Sequence, residues 1–144
     1  MINYSIFCDG AYSSVRKQGG AGVVILKNGK KVVEYSKSFK GGTNNTAELC
    51  AIILALRFIQ KEIDSLTIYS DSQYCVNCAS AGWERKKNRR IWYEFDKELN
   101  RVKDLCSDIQ FKHVKGHQND KSEETKWNNI ADKLAVKGSL CIID

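Results

Sequence analysis

Proline is missing altogether from this chain of 144 residues, and histidine occurs only twice. Without proline, no linker announces itself and no domain boundary is visible. With so little histidine, the lone pair Cys75 and Cys78 has neither a second Cys pair nor a nearby histidine to complete a zinc site. Long apolar runs are also missing. The longest, Leu49 to Leu56, is too short to cross a bilayer, and Asn3, Ser5 and Asp9 interrupt any signal-peptide core. These absences predict one domain over residues 1–144 that touches no membrane, expected as a cytoplasmic monomer.

What is present points toward a polyanionic partner. The net charge is +6, and five of the basic residues, Arg85, Lys86, Lys87, Arg89 and Arg90, fall within positions 85–90. Six cysteines are present, but Cys8, Cys50, Cys106 and Cys141 lie among apolar residues. Free cysteine behaves there as a small hydrophobe, so buried thiols in a reducing, intracellular compartment are expected. Redox or zinc roles remain the alternative for Cys75 and Cys78.

The first forty residues read as an antiparallel meander. Tyr4 to Cys8 form a strand ending at Asp9-Gly10. A turn at Gly19-Gly20-Ala21-Gly22 precedes Val23 to Leu26, Asn28-Gly29 is a hairpin signal, and Lys31 to Phe39 return. The period then changes: Leu49, Ile52, Ile53, Leu56 and Ile59 recur at helical spacing, with caps on offer from Thr43 to Thr46. A strand follows at Leu66 to Ser70, a helix from Asp71-Ser72 through Cys78 toward Gly82, and a longer helix from Asn88 to Leu105. Ile109 to Val114 is the fifth strand, 116–127 a polar loop, and Asn128 to Val136 the closing helix with Gly138 as its stop. This order predicts an α/β fold: a five-stranded mixed sheet, three antiparallel strands then parallel additions, flanked by helices.

Four acids fall at the predicted ends or starts of these elements. Asp9 closes the first strand, Glu48 opens the first helix, Asp71 closes the fourth strand, and Asp132 lies near the start of the last helix. Each alone has a bland explanation: a turn pair at Asp9-Gly10, a helix-start acid at Glu48, an N-cap at Asp71-Ser72, a stray charge at Asp132. Gathered at strand ends, however, such carboxylates raise one another's pKa and call for a hard divalent cation. Open sheets place their sites at the carboxyl ends of strands, where Asp9 and Asp71 are expected.

Five segments in order carry a family resemblance. They are Phe7-Cys8-Asp9-Gly10, Thr43-Asn44-Asn45-Thr46-Ala47-Glu48-Leu49, Tyr69-Ser70-Asp71-Ser72-Gln73-Tyr74, Val114-Lys115-Gly116-His117, and Asn128-Asn129-Ile130-Ala131-Asp132-Lys133-Leu134-Ala135. Across nearly its whole length the chain resembles the ribonuclease H type 1 family. The resemblance implies the ribonuclease H-like fold and an endonuclease that hydrolyses the RNA strand of an RNA/DNA hybrid, leaving 5′-phosphate and 3′-hydroxyl ends. It implies that Asp9, Glu48, Asp71 and Asp132 hold two Mg²⁺ ions about 4 Å apart, Mn²⁺ being a possible substitute. His117 matches the family's loop histidine, thought to assist proton transfer or product departure; His113, alternating with Ile109 and Phe111, reads as structural.

Substrate contacts follow by the same resemblance. Gly10 (through its backbone), Asn44 and Gln73 match positions facing the RNA strand, Thr43 and Asn45 those near the DNA strand, and Asn128 is a further candidate. For Asn44 and Asn45, helix capping is an equally open reading. The family's basic protrusion is reduced here to a stub in which Arg85, Lys86 and Lys87 either contact phosphates or form a solvated face. Trp83 either packs beside a deoxyribose or anchors a helix end. Fourteen residues separate His117 from Asp132, more than in typical bacterial members. Two rival functions stand beside the main one: a silent nucleic-acid-binding module on the same fold, and another nuclease of the superfamily. All four acids being present disfavours the first, and the Asn-Asn-Thr-Ala-Glu and Asp-Ser-Gln-Tyr contexts disfavour the second.

Overall fold

The computed structural model describes residues 1–80, 87–116 and 121–141. Three antiparallel strands open the chain: β1 (Asn3–Ser13), β2 (Gln18–Lys27) and β3 (Lys30–Lys40). Asn28 and Gly29, both at positive φ, make the two-residue turn between β2 and β3, the backbone that matches strand twist. Helix α1 (Asn44–Phe58) crosses to β4 (Ser65–Ser70); α2 (Gln73–Ser80) and α3 (Arg89–Lys103) lead to β5 (Asp108–His113), and α4 (Glu123–Leu140) closes the chain. The sheet order is β3-β2-β1-β4-β5, with β4 and β5 parallel to β1. The mixed sheet expected from the sequence is therefore present. No helix among the described residues is long and apolar enough to cross a membrane.

Strand alternation sorts side chains into two cores. Ile6 and Cys8 of β1, with Ile68 of β4, meet Leu49, Ile52 and Leu56 of α1 and Phe95 of α3. On the opposite face Phe7, Val24 and Leu26 meet Ala131, with Trp127, Ile130 and Leu134 of α4 packed around them. At the carboxyl end of α1, the Arg101 guanidinium donates to the carbonyls of Ile59 (2.7 Å) and Leu56 (3.0 Å) while bonding Glu98. Carbonyls left over at a helix end are thus answered by a cation.

Three elements depart from the sequence reading, α4 at both ends. Gly19 to Gly22 are strand residues of β2, not a turn. A Cβ on Gly20 would strike Ala135 O and Ser139 N, and one on Gly22 would strike Ala131 O, so these glycines let α4 lie directly on the sheet. Strand β1 continues past Asp9 to Ser13, because its antiparallel pairing with β2 persists to Ser13↔Gln18. Helix α4 starts at Glu123 rather than Asn128, capped by Ser122, whose hydroxyl accepts from Thr125 N. It also runs through Gly138, where a Cβ would strike the Lys37 carbonyl and crowd Gly20. The expected helix stop at Gly82 lies outside the described residues.

Candidate metal centre and its rim

The site forms where β1 loses one of its neighbours. The parallel pairing of β1 with β4 ends at Cys8↔Ser70. Asp9 is therefore the first β1 residue without a β4 partner, and Asp71 is the residue just past the end of β4. Gly10 makes the third approach possible: a Cβ there would collide with Ala47 and the Glu48 backbone, so only glycine lets the start of α1 reach β1. Glu48 is the fifth residue of α1, beyond the first turn, so the helix-start reading does not account for it. Asp132 lies near the middle of α4, not near its start.

Carboxylate oxygens of Asp9, Glu48 and Asp71 all lie within 4.8 Å of one another. Asp132 is not one of these three, but it lies close enough to raise the Asp9 and Glu48 carboxyls. Asp9 is 2% exposed, and no Lys or Arg among the described residues forms an ion pair with any of the four acids. Burial, then the charge of Glu48, pushes the Asp9 carboxyl far above the ordinary range. Glu48 is raised as well, to about 8, by burial first and then by Asp71, although bonds to Asp9 and the Gly10 amide pull the other way. One Glu48 oxygen, Oε2, is buried with no hydrogen-bond partner. An orphaned buried acceptor in a compact, all-oxygen, net-negative cluster fits a hard divalent cation.

The structural duties that each acid might have served are performed by its neighbours. Thr43 caps α1 in a reciprocal box with Thr46. Ser72 caps α2, accepting from Cys75 N through its hydroxyl and from Val76 N through its carbonyl. Ser122 caps α4. Asp71, Glu48 and Asp132 have no capping task, and neither have Asn44 and Asn45, which stand exposed on the first turn of α1.

The rim residues separate into two groups. Thr43, Asn44, Asn45, Gln73 and Lys87 are exposed, and Gly10 is half-buried. Asn128 is buried, 2% exposed, with an amide oxygen that meets no donor; its side chain has almost no surface to offer a substrate. Trp83, Arg85, Lys86 and His117 lie outside the described residues. Two neighbours of Asp71 were not among the site residues expected from the sequence. A Cβ on Gly116 would come 3.0 Å from Asp71 Oδ2, and a ring nitrogen of His113 lies 3.2 Å from the Asp71 carbonyl oxygen. The Gly before His117 was the signal for the first; His113 gave none, since strand alternation alone explained it. Of the six cysteines, all free, four are buried; Cys50 is half-buried and Cys141 exposed.

The family model for RNase H matches residues 2–140. A ribonuclease H of Trichodesmium erythraeum is 37% identical over 145 residues, covering 94% of this chain and 87% of its own. Among solved structures, LC11-RNase H1, isolated from compost by a metagenomic approach, superimposes with a TM-score of 0.75 at 25% identity, covering 96% of each chain. The same protein has been solved in complex with an RNA/DNA hybrid; that structure gives a TM-score of 0.71 at 22% identity over 93% of this chain and 97% of the other. The acidic cluster at the β1–β4 seam thus sits in a chain matched almost end to end by one family model and by a full-length relative: the chain belongs to the RNase H family.

Proposed function

We propose that this ribonuclease H cuts the RNA strand of RNA/DNA hybrids internally, at the Asp9–Glu48–Asp71–Asp132 cluster, leaving 5′-phosphate and 3′-hydroxyl ends. The buried carboxyls of Asp9 and Glu48, both raised, and the orphaned Glu48 oxygen support this reading. Two Mg²⁺ ions bound there would activate the attacking water and stabilise the departing 3′ oxygen and the charge growing on phosphorus. Mn²⁺, with the same preference for carboxylate oxygen, is the expected substitute.

The chain's own residues hold and aim this chemistry. Asp9, fixed in the sheet and hydrogen-bonded to Gly10 N at 2.9 Å, is the rigid centre, with Glu48, Asp71 and Asp132 supplied by three further elements. Cysteine takes no part in the cluster, which favours hard cations over soft ones. On the rim, Gly10 through its backbone, Asn44 and Gln73 meet ribose 2′-hydroxyls, the groups that distinguish RNA from DNA. Thr43 and Asn45 lie beside them for the DNA strand. Lys87, with Trp83, Arg85 and Lys86 of the stub, supplies sequence-independent contacts to the backbone. Buried Asn128, one turn before Asp132 on α4, serves the reaction by orienting its surroundings. His117 acts as the proton carrier. The protein works as a single catalytic domain and a monomer, and its six free thiols suit the reducing cytoplasm.

The deciding experiment follows labelled RNA in an RNA/DNA hybrid with Mg²⁺, beside duplex RNA, duplex DNA, an EDTA control and Asp71→Asn. Internal RNA cuts confined to the hybrid, lost with EDTA and reduced at least about 10³-fold in the variant, are expected. Tight binding of an uncut hybrid in both Mg²⁺ and Mn²⁺ would replace this reading with the silent binding module.

A further inference from the structure

Away from the acids, β3, α1 and α3 enclose a cleft of about 320 Å³, within the size range of small-molecule sites. Its walls are apolar: Phe39 from β3, Ile53 and Leu54 from α1, and Ile91 from α3. Charge gathers around these walls and is unbalanced, with Lys37, Arg57 and Arg90 against the single acid Glu94. Arg57 reaches Glu94 and Glu98 only at 3.9 Å each, and it is half exposed. Among the described residues, Lys37 and Arg90 make no ion pair. Both are exposed and line the cleft.

We infer that this cleft is a binding site for a small amphipathic anion: an aromatic or branched apolar body carrying one sulfonate, carboxylate or phosphate group. The apolar body is desolvated between Phe39, Ile53, Leu54 and Ile91. The anionic group lies among three cations that outnumber their acid partner, where an uncharged ligand gains nothing. Cys50, half-buried in the same cleft, reports occupancy. Burial raises its thiol pKa while Arg57 and Lys37 draw it back, which puts both cations within electrostatic reach of that sulfur. The site is separate from the metal centre, although α1 contributes to both.

Two of the six thiols have appreciable exposure, Cys50 and Cys141, and this gives the test an internal control. Iodoacetamide labelling of each is followed by peptide mass analysis, with 8-anilinonaphthalene-1-sulfonate as the probe and uncharged N-phenyl-1-naphthylamine as its comparison. The anion should slow labelling of Cys50 at least about fivefold and leave Cys141 unchanged, with less than twofold protection by the neutral compound. Lys37→Glu combined with Arg90→Glu should remove that difference without shifting Tm. Leu54→Trp, which fills the cleft, should abolish the fluorescence gain of the bound probe. Equal protection by both compounds, equal slowing at Cys141, or no protection overturns the proposal. So does displacement of the probe by an RNA/DNA hybrid at low salt, which would assign the face to nucleic-acid backbone.

Discussion

The two faces of the sheet are held by different physics. Toward α1 and α3, large side chains interlock: Leu49, Ile52, Leu56, Ile68 and Phe95 are all 0–1% exposed. Toward α4, backbone approaches backbone. Gly20 and Gly22 oppose Ala131 and Ala135, and Gly138 rests on the Lys37 carbonyl. Polar side chains of the sheet then reach the helix carbonyls: Ser36 Oγ donates to Leu134 O at 2.7 Å, Ser38 Oγ to Gly138 O at 2.6 Å, and Gln18 Nε2 to Gly138 O at 2.8 Å. A side-chain core can adjust its rotamers when a group is trimmed. A backbone contact has no such freedom, so α4, and Asp132 with it, is fixed in one register.

The largest effect should come from adding bulk to the α4 face. In Gly22→Leu the new Cβ meets Ala131 O and lies 2.6 Å from Ala135 N, so the helix itself must move. A loss of about 3 kcal/mol or more in urea denaturation is expected, with hybrid cleavage lost as Asp132 shifts. Ile52→Val, a trimming on the opposite face, should lose only about 0.5–1.5 kcal/mol and retain cleavage. If the two variants prove equally damaging, the contrast between the faces is wrong.

The faces meet at Asp9, whose carboxyl is raised by burial, then by Glu48 from one side and also by Asp132 from the other. Both Asp9 and Glu48 have folded pKa values raised above their unfolded ones. Protons therefore bind more tightly to the folded chain, and the resulting stabilisation is complete below about pH 4. In the metal-free protein it is lost as pH rises toward about 8, where Glu48 ionises. Asp9→Asn should raise Tm in EDTA by roughly 5 °C at pH 8, a gain that shrinks toward pH 4, while abolishing cleavage. Mg²⁺ should stabilise the parent protein, most strongly at the alkaline end, and Asp9→Asn much less. A variant whose Tm follows the parent's at every pH would show that like-charge repulsion does not strain this seam.

These contrasts show which features the sequence could display. The α1 face was legible because interlocking side chains write their spacing into the chain, as Leu49, Ile52, Ile53 and Leu56 do. The meander was legible from Asn28-Gly29 and the apolar run Val23 to Leu26. The closest part of the α4 face was not, because the contacts at Gly20, Gly22 and Gly138 depend on side chains that are absent. Gly19 to Gly22 and Gly138 carry the composition of a turn and a stop, and only the approach of another backbone gives them their meaning. The start of α4 was missed although Ser122 with Glu123 and Glu124 formed an ordinary cap signal. The acids were legible as a set through their order along the chain. Two of their bland readings, the helix-start acid at Glu48 and the N-cap at Asp71, are answered only in three dimensions, where Thr43 and Ser72 cap those helices.

A smaller break on the α4 face is Gln18→Leu. Gln18 is 6% exposed, and its amide nitrogen serves both Gly138 O and Cys141 O, the latter at 2.6 Å. Leucine keeps the volume but leaves the Cys141 carbonyl unanswered, while Gly138 O retains only Ser38 Oγ. A loss of about 1–2 kcal/mol is expected, together with faster amide exchange confined to the last turn of α4. Cleavage should fall little, because Asp132 lies two turns earlier.

The smallest effect tests the forgiving face. Thr46 completes the α1 capping box, its hydroxyl accepting from Thr43 N at 2.7 Å and donating to Thr43 O at 2.9 Å. Thr46→Ala removes that half of the box and should destabilise by about 0.5–1 kcal/mol. Glu48 should nonetheless stay in place, because Leu49, Ile52, Ile53 and Leu56 anchor the helix through side chains that the cap does not touch. The expected outcome is a Tm lowered by a few degrees, with the hybrid cleavage rate at saturating Mg²⁺ within about twofold of the parent. If the rate instead falls tenfold while Tm barely moves, the start of α1 depends on its cap to aim Glu48. The α1 face would then be as exacting near the metal centre as the α4 face, and the contrast would hold only farther along the helix.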